Sequence, residues 1–409
     1  MRNKNFIIVV TGQIISLLGN AIQRFCMSLY ILDLTGSAAI FSTILAISTI
    51  PYILFAPIAG LLADTINRKK IMLFLDFISA ILMGVYSIVV ISGRDNIIIV
   101  GSVMFLLSTI YTLYSPSVTA CIPQIVDKEK LAPANGIIQQ VGAIVNLVGP
   151  IVAGILYSFV GIKTIVILNA MSFLIAAILE IFLEIPDLEL RKKSRNSIFE
   201  SVMQMKNSFM YLKEKKKVVL GIIISYGLTN IFVVPILSIV SPYFVKVKLN
   251  MPSTVYGFVE AIFVSGMIIG GILVTFNSKL FTIKKVHKTM YPMIISIITM
   301  GIATYVTIEN KFVILGLYSI GGLGIMLSLA LSNVISLTYI QKEVKEDMLG
   351  RVSAFSTAVA TASVVPGQLI YGQLIEANLS LYNIMILTFI FSVGVVRFIR
   401  WNVRRINID

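Results

Sequence analysis

Gly60-Leu61-Leu62-Ala63-Asp64-Thr65-Ile66-Asn67-Arg68-Lys69-Lys70 ends in a short polar turn between two long apolar runs, 39–63 and 71–92. Each run exceeds the roughly 20 residues that a helix needs to cross about 30 Å of hydrocarbon. The turn joins a helix-end carboxylate, Asp64, to three consecutive cations, Arg68, Lys69 and Lys70. Two membrane-length runs joined by a tight basic turn read as a hairpin of two spans. The rest of the chain repeats that pattern.

Moving outward, a hydropathy window of about 19 residues finds twelve such runs. They are 6–32, 39–63, 71–92, 97–118, 134–160 and 164–182, then 218–245, 255–276, 290–308, 312–339, 352–374 and 381–399. The first run is too long for a removable signal segment and reads as mature structure. Every run must be helical, because lipid offers no partner for a free backbone group. Composition agrees: 57% of the 409 residues are hydrophobic, 13% are charged and mean hydropathy is +0.94. Soluble domains carry about 25% charge, so this chain could not cover its core with polar surface. A disordered regulator, a collagen and a secreted disulfide scaffold are excluded. Cys26 and Cys121 form no framework, and the single His287 rules against a histidine metal site.

The net charge of +14 is topological. With the N-terminus inside, 27 Lys and Arg fall on the cytoplasmic side, counting Arg397 at the inner edge of the last span. Five, Arg94, Lys163, Lys246, Lys248 and Lys311, fall on the opposite loops, and Arg24 lies within a span. Both termini are therefore expected in the cytoplasm, and the cations face anionic lipid rather than nucleic acid.

The longest hydrophilic stretch, 185–217, divides the chain into an N-terminal six-helix bundle, 1–184, and a C-terminal one, 218–409. Within it Arg191, Lys192, Lys193 and Arg195 precede Ile198, Val202, Met205, Phe209 and Leu212, whose 4, 3, 4, 3 spacing makes an amphipathic helix. That helix is expected on the lipid surface, with a protein partner as the alternative. Internal similarity supports two halves. Val126-Asp-Lys-Glu-Lys-Leu131 is answered by Val344-Lys-Glu-Asp-Met-Leu349, and Gly149-Pro150 with Gly154 by Pro366-Gly367 with Gly372, at offsets of 216 to 218 residues. Parallel six-helix repeats of this kind are one known transporter plan.

The opening stretch resembles the loop signature of the major facilitator superfamily, Gly-x-Leu-Ala-Asp-Arg-x-Gly-Arg-Lys. Gly60, Leu62, Ala63, Asp64, Arg68 and Lys69 match, whereas Thr65 and Asn67 replace the first Arg and second Gly. Gly12-Gln13-x-x-Ser16, Thr35-Gly36-Ser37 and Gly350-Arg351-Val352 are similar to its macrolide-efflux-type subgroup. The resemblance implies an all-α protein of two six-helix bundles with pseudo-two-fold symmetry, working as an ion-coupled exporter.

Several residues then become candidates. Gly60 is expected to let helices approach closely. Asp64 and Arg68 are expected to latch onto the start of the eleventh span at Gly350 and Arg351 when the cytoplasmic side closes. The alternative is a turn that merely obeys the positive-inside rule. In the second half Thr275 stands where the first has Asp64, so the latch is one-sided. Gly142, Asn146, Gly149, Pro150 and Gly154 resemble the superfamily's exporter motif, with Pro150 expected to kink the fifth span. Ordinary membrane packing is the alternative.

On the first span, Gln13, Ser16, Asn20, Gln23 and Arg24 occupy one stripe about 100° wide. Such a stripe is expected to face a wet cavity, with interhelical hydrogen bonding as the alternative for the amides. Arg24 stays charged and can bias a neighbouring carboxyl or attract an anionic substrate group. Glu260, in the eighth span, is nominated as the proton carrier, with a gate role as its alternative. Asp76 is expected in the loop charge network and Asp33 as a helix cap, and both, with Arg24, are further candidates for proton coupling. Leu107 stands where proton-coupled exporters of the superfamily carry an Arg, which leaves the coupling residue open. By resemblance, Tyr111, Tyr114, Tyr226, Asn230, Asn333 and Gln368 sit on cavity-lining helices.

The reading is a proton-driven exporter of a hydrophobic or amphipathic small molecule in the cell membrane, acting as a monomer among membrane lipids. A transporter-like sensor or a lipid-scrambling protein is the alternative. No cofactor or metal is expected, and no catalysis, since the spans lack a clustered carboxylate or metal motif. The chain also lacks a Gly-x-x-x-x-Gly-Lys-Ser/Thr phosphate loop, which excludes primary pumping by this chain alone.

Overall fold

The computed structural model describes residues 4–185, 197–276, 281–306 and 309–407. The basic run Arg191–Arg195, both chain ends and the end of the ninth expected span lie outside those residues, as do the side chains of Asp64, Ile198, Val202 and Thr275. The described residues form thirteen α-helices with short 3-10 and wider π turns between them. In chain order they are α1 (Lys4–Thr35), α2 (Ala38–Leu54), α3 (Ala56–Thr65), α4 (Arg68–Ile91), α5 (Ile97–Ile125), α6 (Leu131–Ile181) and α7 (Ser197–Lys215). Then come α8 (Lys217–Phe232), α9 (Ser253–Phe276), α10 (Tyr291–Tyr305), α11 (Lys311–Glu343), α12 (Glu346–Glu376) and α13 (Leu381–Arg404).

Ten described segments are long and apolar enough to cross a membrane. One of them, Pro133–Ile181, holds two of the expected spans, and Ala38–Leu54 followed by Ala56–Thr65 supplies one more. The twelve runs of the sequence are thus accounted for, with three differences in how they break. The second run is not one helix: Pro51 precedes an interruption at Phe55, and α3 starts afresh with a proline in its first turn. The fifth and sixth runs join as α6, which turns at Gly161 (φ 68°, ψ 175°), a conformation that only glycine adopts readily. The chain stays helical through Pro150 and leaves helical geometry inside α6 at Gly161, the junction of the fifth and sixth runs. The seventh run leaves regular helix after Phe232 and continues as two wide-turn segments, Ile236–Val240 and Tyr243–Lys248. Pro235 and Pro242 precede them, and each lacks the N–H that an unbroken helix needs.

Side-chain exposure separates the lipid face from the core. On α4, Phe74, Phe77, Ile81, Val85 and Ile88 are exposed, the last by 68%. Met72, Leu75, Asp76, Ser79, Met83, Tyr86 and Val90 are buried on the other side. A continuous apolar stripe facing outward at helical spacing would be a liability in water and is what a lipid-facing helix requires.

The chain forms two compact units. Unit 1 comprises Met1–Leu34 and Ile47–Phe199, and unit 2 comprises Thr35–Ala46 and Glu200–Asp409. In unit 1, α4 packs along α6 and α3 along α5, around a core of Phe6, Met72, Leu75, Tyr114, Val118, Cys121 and Leu183. In unit 2, α9 packs along α11, α8 along α12 and α10 along α13. Numbered as spans, pairs 2–4 and 3–6 recur as 8–10 and 9–12, the internal repeat seen in the sequence. The amphipathic α7 does not lie wholly on a surface. Its Leu212 is completely buried against Val218, Val219 and Ile222, because α8 begins two residues after α7 ends.

Candidate functional site

The polar stripe of α1 divides by burial. Gln23 is fully buried, and neither its Oε1 nor its Nε2 has a hydrogen-bond partner. Gln13 is half-buried with an unpaired Oε1, and Asn20 is half-buried. Arg24 is exposed and lies near enough to Tyr111 to act on it electrostatically. A uniformly wet stripe was the expectation. The difference arises because Gln23 and Arg24 are neighbours about 100° apart on the helix, enough to put one inside and one outside.

Ser16, on the same stripe, donates from Oγ to Asp76 Oδ2 at 3.1 Å. Asp76 is only 3% exposed, so it is not part of a surface charge network. The reason is its position: two turns into α4 from Arg68, it falls on the helix face that packs into the core. Glu180 lies in the same region, and its charge and that of Asp76 act on each other. Tyr114 Oη donates to Glu180 Oε1 at 2.9 Å. Tyr114 is therefore a buried partner of a carboxyl rather than an open cavity residue. The sequence reading missed Glu180. Its signal was an acidic residue inside the sixth apolar run, two positions from the end, where it reads as a surface residue.

Asp33, expected as a helix cap, accepts from Tyr157 Oη at 2.8 Å, a tie between α1 and α6. Glu260 on α9 is half-buried and hydrogen-bonded with the buried Tyr256. Tyr111 meets Tyr52 edge to face, with ring centroids 6.1 Å apart. Asn146 and the Asn333 side chain are exposed, and Tyr226 Oη donates to the Asn333 carbonyl at 3.3 Å. Asn230 Nδ2 donates to the Ala360 carbonyl at 2.8 Å, and Gln368 is buried with an unpaired Oε1.

The glycine motifs serve packing in both units. A Cβ on Gly149 would lie 3.2 Å from that of Ala21, which brings α6 onto α1. A Cβ on Gly367 would lie 2.6 Å from the Ile231 carbonyl oxygen, which brings α12 onto α8. Spans 1–5 and 7–11 thus meet through the glycines that the internal repeat pairs. Gly60 differs: a Cβ there would meet nothing within 4 Å, so the close approach expected of it is not present. At the loop, Asn67 Oδ1 accepts from the Lys69 backbone N–H and caps α4. Arg68 Nε donates to the Ala63 carbonyl at 3.1 Å, and Lys69 Nζ to the Ile181 carbonyl at 2.7 Å. Gly350 and Arg351 are exposed in the first turns of α12.

Among the described residues, no three His, Cys, Asp or Glu side chains converge as a metal site would require. Cys26 and Cys121 are both buried and free. On the exposed loop before α6, Lys130 pairs with Asp127 at 2.6 Å and holds that carboxyl below its usual range. The chemistry on offer is hydrogen bonding by buried amides, hydroxyls and carboxyls.

The model of the Major Facilitator Superfamily matches residues 9–368. A Streptococcus pyogenes protein named Macrolide efflux protein A is 27% identical over 363 residues, 88% of this chain and 87% of that protein. An Enterococcus faecalis protein of the same name is 27% identical over 333 residues, 81% of this chain and 99% of that one. Among solved structures, a bacterial homologue of the iron transporter ferroportin, in an inward-facing state, superposes with a TM-score of 0.73. At 16% identity, covering 98% of this chain and 99% of that one, it shows likeness of fold.

Proposed function

The chain belongs to the Major Facilitator Superfamily, and from that premise we propose that it exports a hydrophobic or amphipathic small molecule by alternating access, driven by a proton gradient. The observation that carries this reading is the similarity to macrolide efflux proteins along nearly the whole chain. The unpaired buried amide oxygens of Gln13, Gln23 and Gln368 support it, because such groups bind a polar part of a ligand or water at little rearrangement cost. Glu260 is a carrier for the coupling proton in unit 2. Asp64 and Arg68 latch onto the α12 start at Gly350 and Arg351 when the cytoplasmic side closes. Two six-helix bundles, 1–184 and 218–409, joined by 185–217, rock as rigid bodies in the cell membrane. The protein works as a monomer with both termini inside.

Everted vesicles containing the full-length protein, offered a radiolabelled macrolide and a panel of lipophilic cations, test this. Accumulation that collapses when the pH gradient is dissipated supports it. Equilibration without concentration, or movement of fluorescent lipid alone, overturns it in favour of a sensor or a lipid scramblase.

A further inference from the structure

Unit 1 holds two carboxyls in one buried region. Asp76 on α4 is 3% exposed and Glu180 at the end of α6 is 1% exposed. Leu75 and Met72 beside Asp76, Tyr114 and Cys121 on α5, and Leu183 just past Glu180 belong to one core cluster. The groups facing the pair can be named element by element. From α1, Ser16 donates to Asp76, and from α5, Tyr114 donates to Glu180. Cys121, also on α5, feels the charges of both Glu180 and Arg68. At the start of α4, Arg68 Nε is committed to the Ala63 carbonyl. Lys69 Nζ is committed to the Ile181 carbonyl. Among the described residues, neither carboxyl has an ion-pair partner. Glu180 Oε2 is fully buried with no hydrogen-bond partner.

That arrangement is unstable as two anions. A buried charge needs a partner, and here each carboxyl is met only by a neutral hydroxyl donor. A proton resolves both problems: it removes one charge and converts a bare acceptor into an O–H.

We propose that Asp76 and Glu180, two buried carboxyls met only by neutral donors, form a proton-binding pair that loads and unloads a proton during the transport cycle. The proton adds to a carboxylate oxygen to give the carboxylic acid and leaves to water, so no other reactant is needed. The Ser16 bond links the site to the polar stripe of α1. Loss of the Asp76 charge weakens that bond and frees α1 to move against α4, which ties protonation to the helix bearing Gln13, Asn20 and Gln23. This inference rests on the proton-driven reading above and adds a carrier in unit 1 to Glu260 in unit 2.

Infrared difference spectroscopy on the purified full-length protein in lipid nanodiscs, stepped in pH, reads the site without any substrate. In a Glu260→Gln background, which removes the unit 2 carboxyl, the expected result is a protonated-carboxyl C=O band that titrates, is lost in Glu180→Gln and is shifted in Asp76→Asn. Tyr114→Phe keeps both carboxyls and should shift the band and its titration midpoint. If either carboxyl variant fails to give monodisperse protein, the comparison of that background with and without Tyr114→Phe decides. A band that is absent from that background, or unchanged in all variants made, overturns the proposal. So does a band that responds to Na⁺ or Mn²⁺ at fixed pH as it does to protons, which marks a cation site instead. Intact titration in a protein that exports nothing rejects only the transport reading. Export without the band rejects only the proton-binding pair.

Discussion

Tyr114 Oη and Glu180 Oε1 are 2.9 Å apart, a hydrogen bond that ties the middle of α5 to the last turn of α6. Both residues are buried, so the bond is made where water cannot replace it. Tyr114→Phe leaves a buried carboxyl oxygen without its donor and should lower stability by about 1–3 kcal/mol. Thermal unfolding of detergent-solubilised protein, followed by tryptophan-independent thiol labelling at the buried Cys121, reads it. An unchanged melting profile would show that the bond is dispensable.

Gly367 and Gly142 give opposite forecasts for the same change. Gly367→Ala places a methyl 2.6 Å from the Ile231 carbonyl oxygen, a backbone atom that cannot swing aside. It should cost about 1–3 kcal/mol by overpacking and depress transport with it. Gly142→Ala meets nothing within 4 Å and should be neutral or slightly stabilising. Equal losses in folded yield for the two variants would refute the packing argument.

The proposed latch rests on the Asp64 charge, which Asp64→Asn removes. Transport should drop several-fold while membrane expression stays near wild type. Uptake and immunoblotting on the same vesicles check this. Wild-type transport would reduce the loop to a topology signal.

Glu260→Gln should abolish accumulation against a gradient while leaving ligand binding in place and insensitive to pH. Binding and concentrative uptake measured side by side separate the two. If the variant still concentrates substrate at the wild-type pH optimum, Glu260 is structural and the Asp76–Glu180 pair is left as the carrier.

Sidedness follows from the distribution of cations. Cysteine placed at Arg94 or Lys311 should react with an impermeant maleimide from outside intact cells, and cysteine at Lys213 should not. The two native cysteines are buried, which keeps the background low. Outside labelling at Lys213 overturns the orientation.

By itself, the sequence determined where the chain crosses the membrane and how the two halves repeat. Run length suffices for the first, because in lipid every backbone group must be satisfied within its own helix. The glycines at 149 and 367 made the second legible, and both sit where two helices approach closely. The tertiary structure alone decided which polar groups meet. Asp76, Tyr114 and Glu180 belong to three different helices, and no spacing rule relates their positions. Their meeting depends on how α4, α5 and α6 are rotated about their own axes. Gln23 and Arg24 show how sensitive that rotation is, one fully buried and its neighbour exposed.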